Sequence, residues 1–139
     1  MAYQQLVYIS RSAVSIRSPL EMVEILDQAT RNNALFRLTG ALAYCDGCFV
    51  QLLEGPAASL DGLMPILETD RRHYDIDILD RVTVRERAFP EWAMLFAAFT
   101  PESAPDLAVA LMQRRRHMPF YRDLLQRMAR EQAKRLSER

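Results

Sequence analysis

The chain has 139 residues, half of them apolar, with 18 Lys/Arg balanced by 18 Asp/Glu and only two cysteines. That length suits one domain that buries a core without disulfide or metal support, and no apolar run approaches the ~20 residues of a membrane-spanning helix. The first residues also lack the basic-then-apolar pattern of a secretory leader, so the expected compartment is cytoplasmic.

Residues 5–10, Gln-Leu-Val-Tyr-Ile-Ser, alternate as a first strand, with Leu6, Tyr8 and Ser10 on one face and Val7 and Ile9 on the other. Ser18-Pro19-Leu20-Glu21 then opens a helix: the serine is an N-cap, the proline takes the first helical position and the glutamate completes a capping box. Met22, Ile25, Leu26 and Ala29 give that helix one apolar stripe. Asn32-Asn33 should end it, because asparagine tolerates the left-handed conformation of a C-cap.

Residues 33–55 read as a buried β-hairpin turning at Asp46-Gly47. Counting outward from the turn puts Leu42, Tyr44, Phe49, Gln51 and Leu53 on one face, and Ala43, Cys45, Cys48, Val50 and Leu52 on the other. Gln51 is the odd member of its face. Left unpaired there, a carboxamide would cost roughly 1–3 kcal/mol, so a polar group must meet it. The two cysteines flank the turn. Zinc would need further ligands that His73 and His117 are not spaced to supply, and a redox pair normally opens a helix, so both cysteines read as small strand residues.

A second helix is expected from Ala58 to Asp70, burying Leu60, Leu63, Met64 and Leu67, with a kink or an irregular first turn because of Pro65. Residues 76–85 alternate as a fourth strand, and Trp92 to Phe99 read as a fifth with Trp92, Met94 and Phe96 on one face. The order β-α-β-β-α-β plus a fifth strand is that of an α+β, ferredoxin-like sandwich. In it the first and third strands are neighbours, which sets Tyr8 beside Gln51.

After a linker at Pro101 to Pro105, two helices finish the chain, Asp106 to Met118 and Pro119 to about Leu136. Both sheet faces are apolar and the first two helices can cover only one, so this tail, or a second copy of the chain, should cover the other. Residues 111–139 carry 9 Lys/Arg against 3 Asp/Glu, net +6, while residues 1–110 carry 9 against 15, net −6. Such a tail fits an acidic partner or the body of another subunit; nucleic-acid binding is not expected, since helical arginines more often form a solvated face. The division expected is residues 1–100 as one domain and 101–139 as a helical extension.

Motifs of hydrolytic or phosphate chemistry are missing: there is no GxSxG, HExxH or phosphate-cradling glycine loop. A small hydrolase built on Arg37 or Arg11 with Asn33 can be drawn, but Arg37 suits solvent equally well. Tyr8, Gln51 and Asn33 could instead read the edge of a flat ring that alternates donors and acceptors. Equally, Tyr8 and Gln51 could be a core tyrosine and its hydrogen-bond mate.

Five separated motifs resemble those of the BLUF domains, blue-light receptors that use flavin adenine dinucleotide. They are Leu6-Val7-Tyr8-Ile9-Ser10; Arg31-Asn32-Asn33 with Leu38-Thr39-Gly40; Phe49-Val50-Gln51-Leu52-Leu53-Glu54-Gly55; Asp70-Arg71-Arg72-His73; and Arg87-Ala88-Phe89-Pro90-Glu91-Trp92-Ala93-Met94. The resemblance runs from about Gln5 to Thr100. It implies non-covalent FAD lying between the first two helices, above the sheet. Asn33 would pair with the pyrimidine edge and Asn32 would shape that edge. Gln51 would bridge the ring and the Tyr8 hydroxyl, Arg72 would reach the other ring carbonyl, and His73 would pack nearby or cap the second helix. In such proteins blue light drives electron and proton transfer from the tyrosine, and the glutamine rearranges before the charge returns.

One rearranged hydrogen bond is worth roughly 0.5–1.5 kcal/mol, whereas switching a two-state element almost fully needs ~5.5 kcal/mol. Several coupled groups must therefore respond, and Trp92 and Met94, on the strand bordering the tail, are the expected relay. The resemblance implies a photoreceptor; with no output domain following, the chain is expected not to be an enzyme itself but to act on a separate downstream signalling protein, as a homo-oligomer and off the membrane. The alternative is a ferredoxin-like binding or small hydrolase domain without flavin. Two departures stand out: Arg37 fills a position that is often glycine in the family, and Pro65 interrupts a helix that would flank the flavin.

Overall fold

A computed structural model describes residues 3–13, 19–89, 95–113 and 118–137. Its elements are β1 (Tyr3–Ser12), α1 (Pro19–Leu35), β2 (Thr39–Cys45), β3 (Cys48–Gly55), α2 (Ala57–Thr69), β4 (His73–Val84), β5 (Leu95–Phe99), α3 (Pro105–Met112) and α4 (Met118–Ser137). The sheet order is β4-β1-β3-β2-β5, with β5 parallel to β2 and the other pairs antiparallel. This is the expected ferredoxin-like α+β arrangement with a fifth strand.

The hairpin register follows from the turn. Asp46 and Gly47 both have positive φ, 48° and 81°, as a two-residue turn matched to strand twist requires. Leu42 then pairs with Gln51 and Tyr44 with Phe49, so the two faces are those read from the sequence. On one face Leu6, Tyr8 and Leu53 join Leu60 and Leu63 of α2 in a buried cluster. On the other, Val7, Ile9, Ala43, Val50 and Leu52 meet Leu107 and Leu111 of α3 and Tyr121 and Leu125 of α4. The tail therefore covers the second apolar face of the sheet.

Boundaries moved where backbone bonding outran side-chain pattern. β1 extends to both sides of residues 5–10 because it is paired by β3 and by β4 along its length. β4 begins at His73 rather than at residue 76 for the same reason. The helix expected to reach Met118 ends at Met112, with Gln113 as C-cap. α2 runs through Pro65, whose missing N–H removes the intrahelical donor to the carbonyl of Asp61 instead of ending the helix. The expected Ser18 cap, and Trp92 to Met94 of the fifth strand, lie outside the described residues.

α1 does not stop at the asparagines. It continues to Leu35 and closes with Leu38 N–H donating to the Asn33 carbonyl (2.7 Å) and Arg37 N–H to the Ala34 carbonyl (3.2 Å). That is a Schellman closure with Arg37 in the left-handed position, φ 58°. A side chain is disfavoured there and glycine is not. Arg37→Gly should therefore raise stability by about 0.5–1 kcal/mol, glycine's larger unfolded-state entropy offsetting part of the gain. Thermal melting checks it; an unchanged or lower midpoint would show that the arginine side chain contributes more than the strain it carries.

Candidate functional site

The site is a cleft between the sheet and the first two helices, with a cavity volume of about 50 Å³. Its walls are apolar: Ile25 and Ala29 of α1, Leu42 and Phe49 of the hairpin, and Leu67 of α2. Its polar groups are Tyr8, Asn32, Gln51, Asp70, Arg72 and His73. A flat apolar ring with a polar rim matches that combination of greasy walls and convergent amides, phenol and guanidinium.

Strand pairing sets the centre of the cleft. Tyr8 and Gln51 lie directly opposite each other on β1 and β3, and the Tyr8 hydroxyl donates to Gln51 Oε1. Both residues are buried, which answers what meets the lone carboxamide on an apolar face. Burial pushes the Tyr8 phenol well above its ordinary value, and the Asp70 carboxylate adds to the shift. The phenol therefore stays protonated and remains a donor. Beside it the β1–β4 register slips between Val7 and Tyr8, an irregularity of the kind that re-aims side chains at functional sites.

Arg72 is held in a two-pronged ion pair: its Nε donates to Asp70 Oδ1 at 2.9 Å and its Nη2 to Oδ2 at 2.7 Å, with a further bond from its backbone N–H at 3.0 Å. The hydrogen bonds from Arg72 hold the Asp70 carboxyl below its usual range. His73 spans two elements. Its Nε2 lies 2.9 Å from the Leu67 carbonyl, which can only accept, so Nε2 carries the proton and Nδ1 accepts from the Ser10 hydroxyl at 3.0 Å. This bond caps the end of α2, and the ring sits 6.1 Å from that of Tyr8.

Burial pushes His73 below its ordinary value of 6.5, against the opposing pull of Asp70 and of the Leu67 bond. Between the folded and unfolded values the unfolded chain binds more protons, so stability is full above about pH 6.5 and falls as pH drops toward the folded value. The Asp70 contribution is lost only at pH below its ordinary 3.8, a separate window. Urea midpoints at about pH 7.5 and 5.5 should therefore converge in His73→Gln relative to wild type. Equal slopes in the two proteins would place the titration elsewhere.

Of the residues assigned to the ring by resemblance, Tyr8, Asn32, Gln51, Arg72 and His73 line one cleft. Asn32 Oδ1 accepts from Gln28 Nε2 at 3.2 Å. Asn33 is buried but is not one of the lining side chains, and its backbone carbonyl closes α1. Trp92 and Met94 lie outside the described residues. Two lining or supporting groups had no role in the sequence reading. Asp70 could have been found as an acid two residues before an arginine in a turn, and Ser10 as the next residue on the face of Tyr8.

Comparison with known proteins decides the family: the BLUF profile, sensors of blue-light using FAD, matches residues 3–95. The chain belongs to the BLUF family. It is 40% identical over 93 residues to the photoactivated adenylate cyclase subunit beta of Euglena longa, and 38% identical over 93 residues to that of Euglena gracilis. Each match covers 66% of this chain and 11% of the relative, so the chain spans a small part of those proteins. BlrB, a BLUF protein in its dark state, superposes with TM-score 0.71 at 28% identity over 91% of this chain and 93% of that one. A bacterial light-regulated adenylyl cyclase gives TM-score 0.70 at 29% identity over 81% of this chain and 35% of that one.

The BLUF fold is thus shared over nearly the whole chain, and the matched region is a sensor rather than a catalytic domain. FAD is the cofactor that the BLUF family uses, and the cleft suits its ring system: apolar walls for the faces, amides, phenol and guanidinium for the edge. Among the described residues no helix is long and apolar enough to cross a membrane.

Proposed function

We propose that this BLUF chain is a blue-light photoreceptor whose signal is a rearranged hydrogen-bond pattern at Tyr8 and Gln51, passed to a separate partner protein. The observation that carries the reading is the Tyr8 hydroxyl donating to Gln51 Oε1 in a cleft with apolar walls and a polar rim, within a chain of this family. Bound FAD supplies light absorption and reversible electron acceptance. Tyr8 supplies a phenolic proton and an electron, held in place by burial. Gln51 can turn its carboxamide, exchanging an acceptor for a donor toward the phenol. Asn32, near the end of α1, supplies an amide for the ring edge, and the neighbouring Asn33 would supply a second on turning its side chain into the cleft; Arg72, fixed by Asp70, supplies a cation, and His73 braces β1 against α2.

The relay assigned to Trp92 and Met94 would carry the change toward the 101–139 extension. We read residues 1–100 as the sensory unit, the protein as cytoplasmic and oligomeric, and its output as binding rather than catalysis by this chain. Loading with FAD and comparing dark with illuminated absorption tests the proposal. A small red shift that reverses in the dark is the expected result; a flavin-loaded protein with identical spectra would overturn it.

A further inference from the structure

One buried carboxylate stands outside the cleft and outside everything assigned so far. Glu54, at the end of β3, is 0% exposed. It accepts hydrogen bonds from Gln5 Nε2 of β1 at 3.1 Å, from Thr39 Oγ1 of β2 at 3.2 Å, from Ala88 N–H at 2.8 Å and from Phe89 N–H. All four partners can donate, which is the set that a carboxylate taken out of water requires. Arg87 reinforces the same junction: Nη1 donates to Thr39 Oγ1 at 3.0 Å and Nη2 to the Arg37 carbonyl at 2.9 Å, with the guanidinium 4.9 Å from the Tyr3 ring centre.

The far end of this latch lies in the other core. Phe89 is fully buried in the cluster that contains Leu107 of α3 and Tyr121 and Leu125 of α4. Glu54 is three residues after Gln51 on the same strand. A short, fully bonded path therefore joins the carboxamide strand to the packing beneath the tail: β3, the Glu54 carboxylate, the backbone of Ala88 and Phe89, and the Phe89 ring.

We infer that Glu54 is a positioning residue for signalling: it clamps the connection after β4 to the strand of Gln51, so that a displacement of that strand is felt under α3 and α4. The inference rests on the light-sensing reading above. Two hydrogen bonds to successive backbone N–H groups fix a chain direction more firmly than one, and a well-packed core transmits a small shift rather than absorbing it.

The test uses the full FAD-loaded chain and Glu54→Gln, which keeps the volume but offers a donor where a backbone N–H needs an acceptor. Two readouts separate the roles. The light-induced red shift should keep its wild-type size, because Glu54 is not in the cleft. The light-minus-dark difference in amide hydrogen exchange over α3 and α4 should fall by roughly fivefold or more. A purely structural Glu54 would raise exchange in dark and light alike and leave the difference intact, and that result overturns the inference. So would a wild type that red-shifts without any exchange difference in the tail. A wild type that binds FAD and shows no red shift instead removes the light-sensing proposal, and this inference with it. Should Glu54→Gln fail to fold, Glu54→Asp keeps the charge but draws the carboxylate back by one methylene from the Ala88 and Phe89 N–H groups. A reduced light-minus-dark difference supports the latch, and an unchanged one overturns it.

Discussion

Tyr8→Phe, loaded with FAD, should remain folded and yellow and lose the light-induced red shift. The substitution removes one oxygen from a ring that is only 3% exposed, so nearly all apolar contact with Leu6, Leu53 and Leu63 is retained. What disappears is the O–H that donates to Gln51 Oε1. With it goes the group able to give up a proton and an electron together beside the ring. Gln51 Oε1 also loses that donor in a buried setting, at a cost of roughly 1–3 kcal/mol. Urea denaturation should show that loss, so the variant tests packing and photochemistry separately. A red shift of wild-type size in Tyr8→Phe would exclude the phenol as the light-responsive group. A colourless, folded variant would instead make the phenol a binding determinant.

The sequence carried much of this arrangement because strand pairing is discrete. Once Asp46-Gly47 is accepted as a two-residue turn, every facing pair of the hairpin follows, and Tyr8 opposite Gln51 needs only the strand order of the ferredoxin-like pattern. Helix ends are less legible. Asn33 looked like a C-cap, yet the left-handed residue is Arg37, because the closure is decided by where the Leu38 N–H finds a carbonyl rather than by the best-suited side chain. Supporting groups are harder still. Ser10 and Asp70 act through partners 63 and 2 residues away, and Glu54 gathers donors from β1, β2 and the connection after β4. No local pattern announces a carboxylate whose purpose is to satisfy backbone groups 34 and 35 residues downstream. A glutamate ending an apolar strand was the only hint, and it fitted a solvent-facing turn as well as a buried latch.

Gly40→Ala should be the most damaging of the four glycine-to-alanine changes. A β-carbon at Gly40 would stand 2.0 Å from the Leu52 carbonyl oxygen and 3.2 Å from Leu53 Cα, both backbone atoms of β3. Neither can swing aside as a side chain could. Relief requires β2 and β3 to separate where Gly40 faces Leu53, two residues along from the Leu42–Gln51 pair that floors the cleft. The loss should be about 3 kcal/mol or more, at the severe end for overpacking, with FAD binding weakened in parallel. Gly47→Ala is the control. Its added carbon meets nothing within 4 Å, and its φ of +81° brings only the penalty for a left-handed residue, about 1 kcal/mol. Melting the two variants side by side separates close approach from backbone conformation. If Gly40→Ala melts no lower than Gly47→Ala, then β2 does not lie against β3 at the distance that positions Gln51, and the register on which the cleft depends would have to be redrawn.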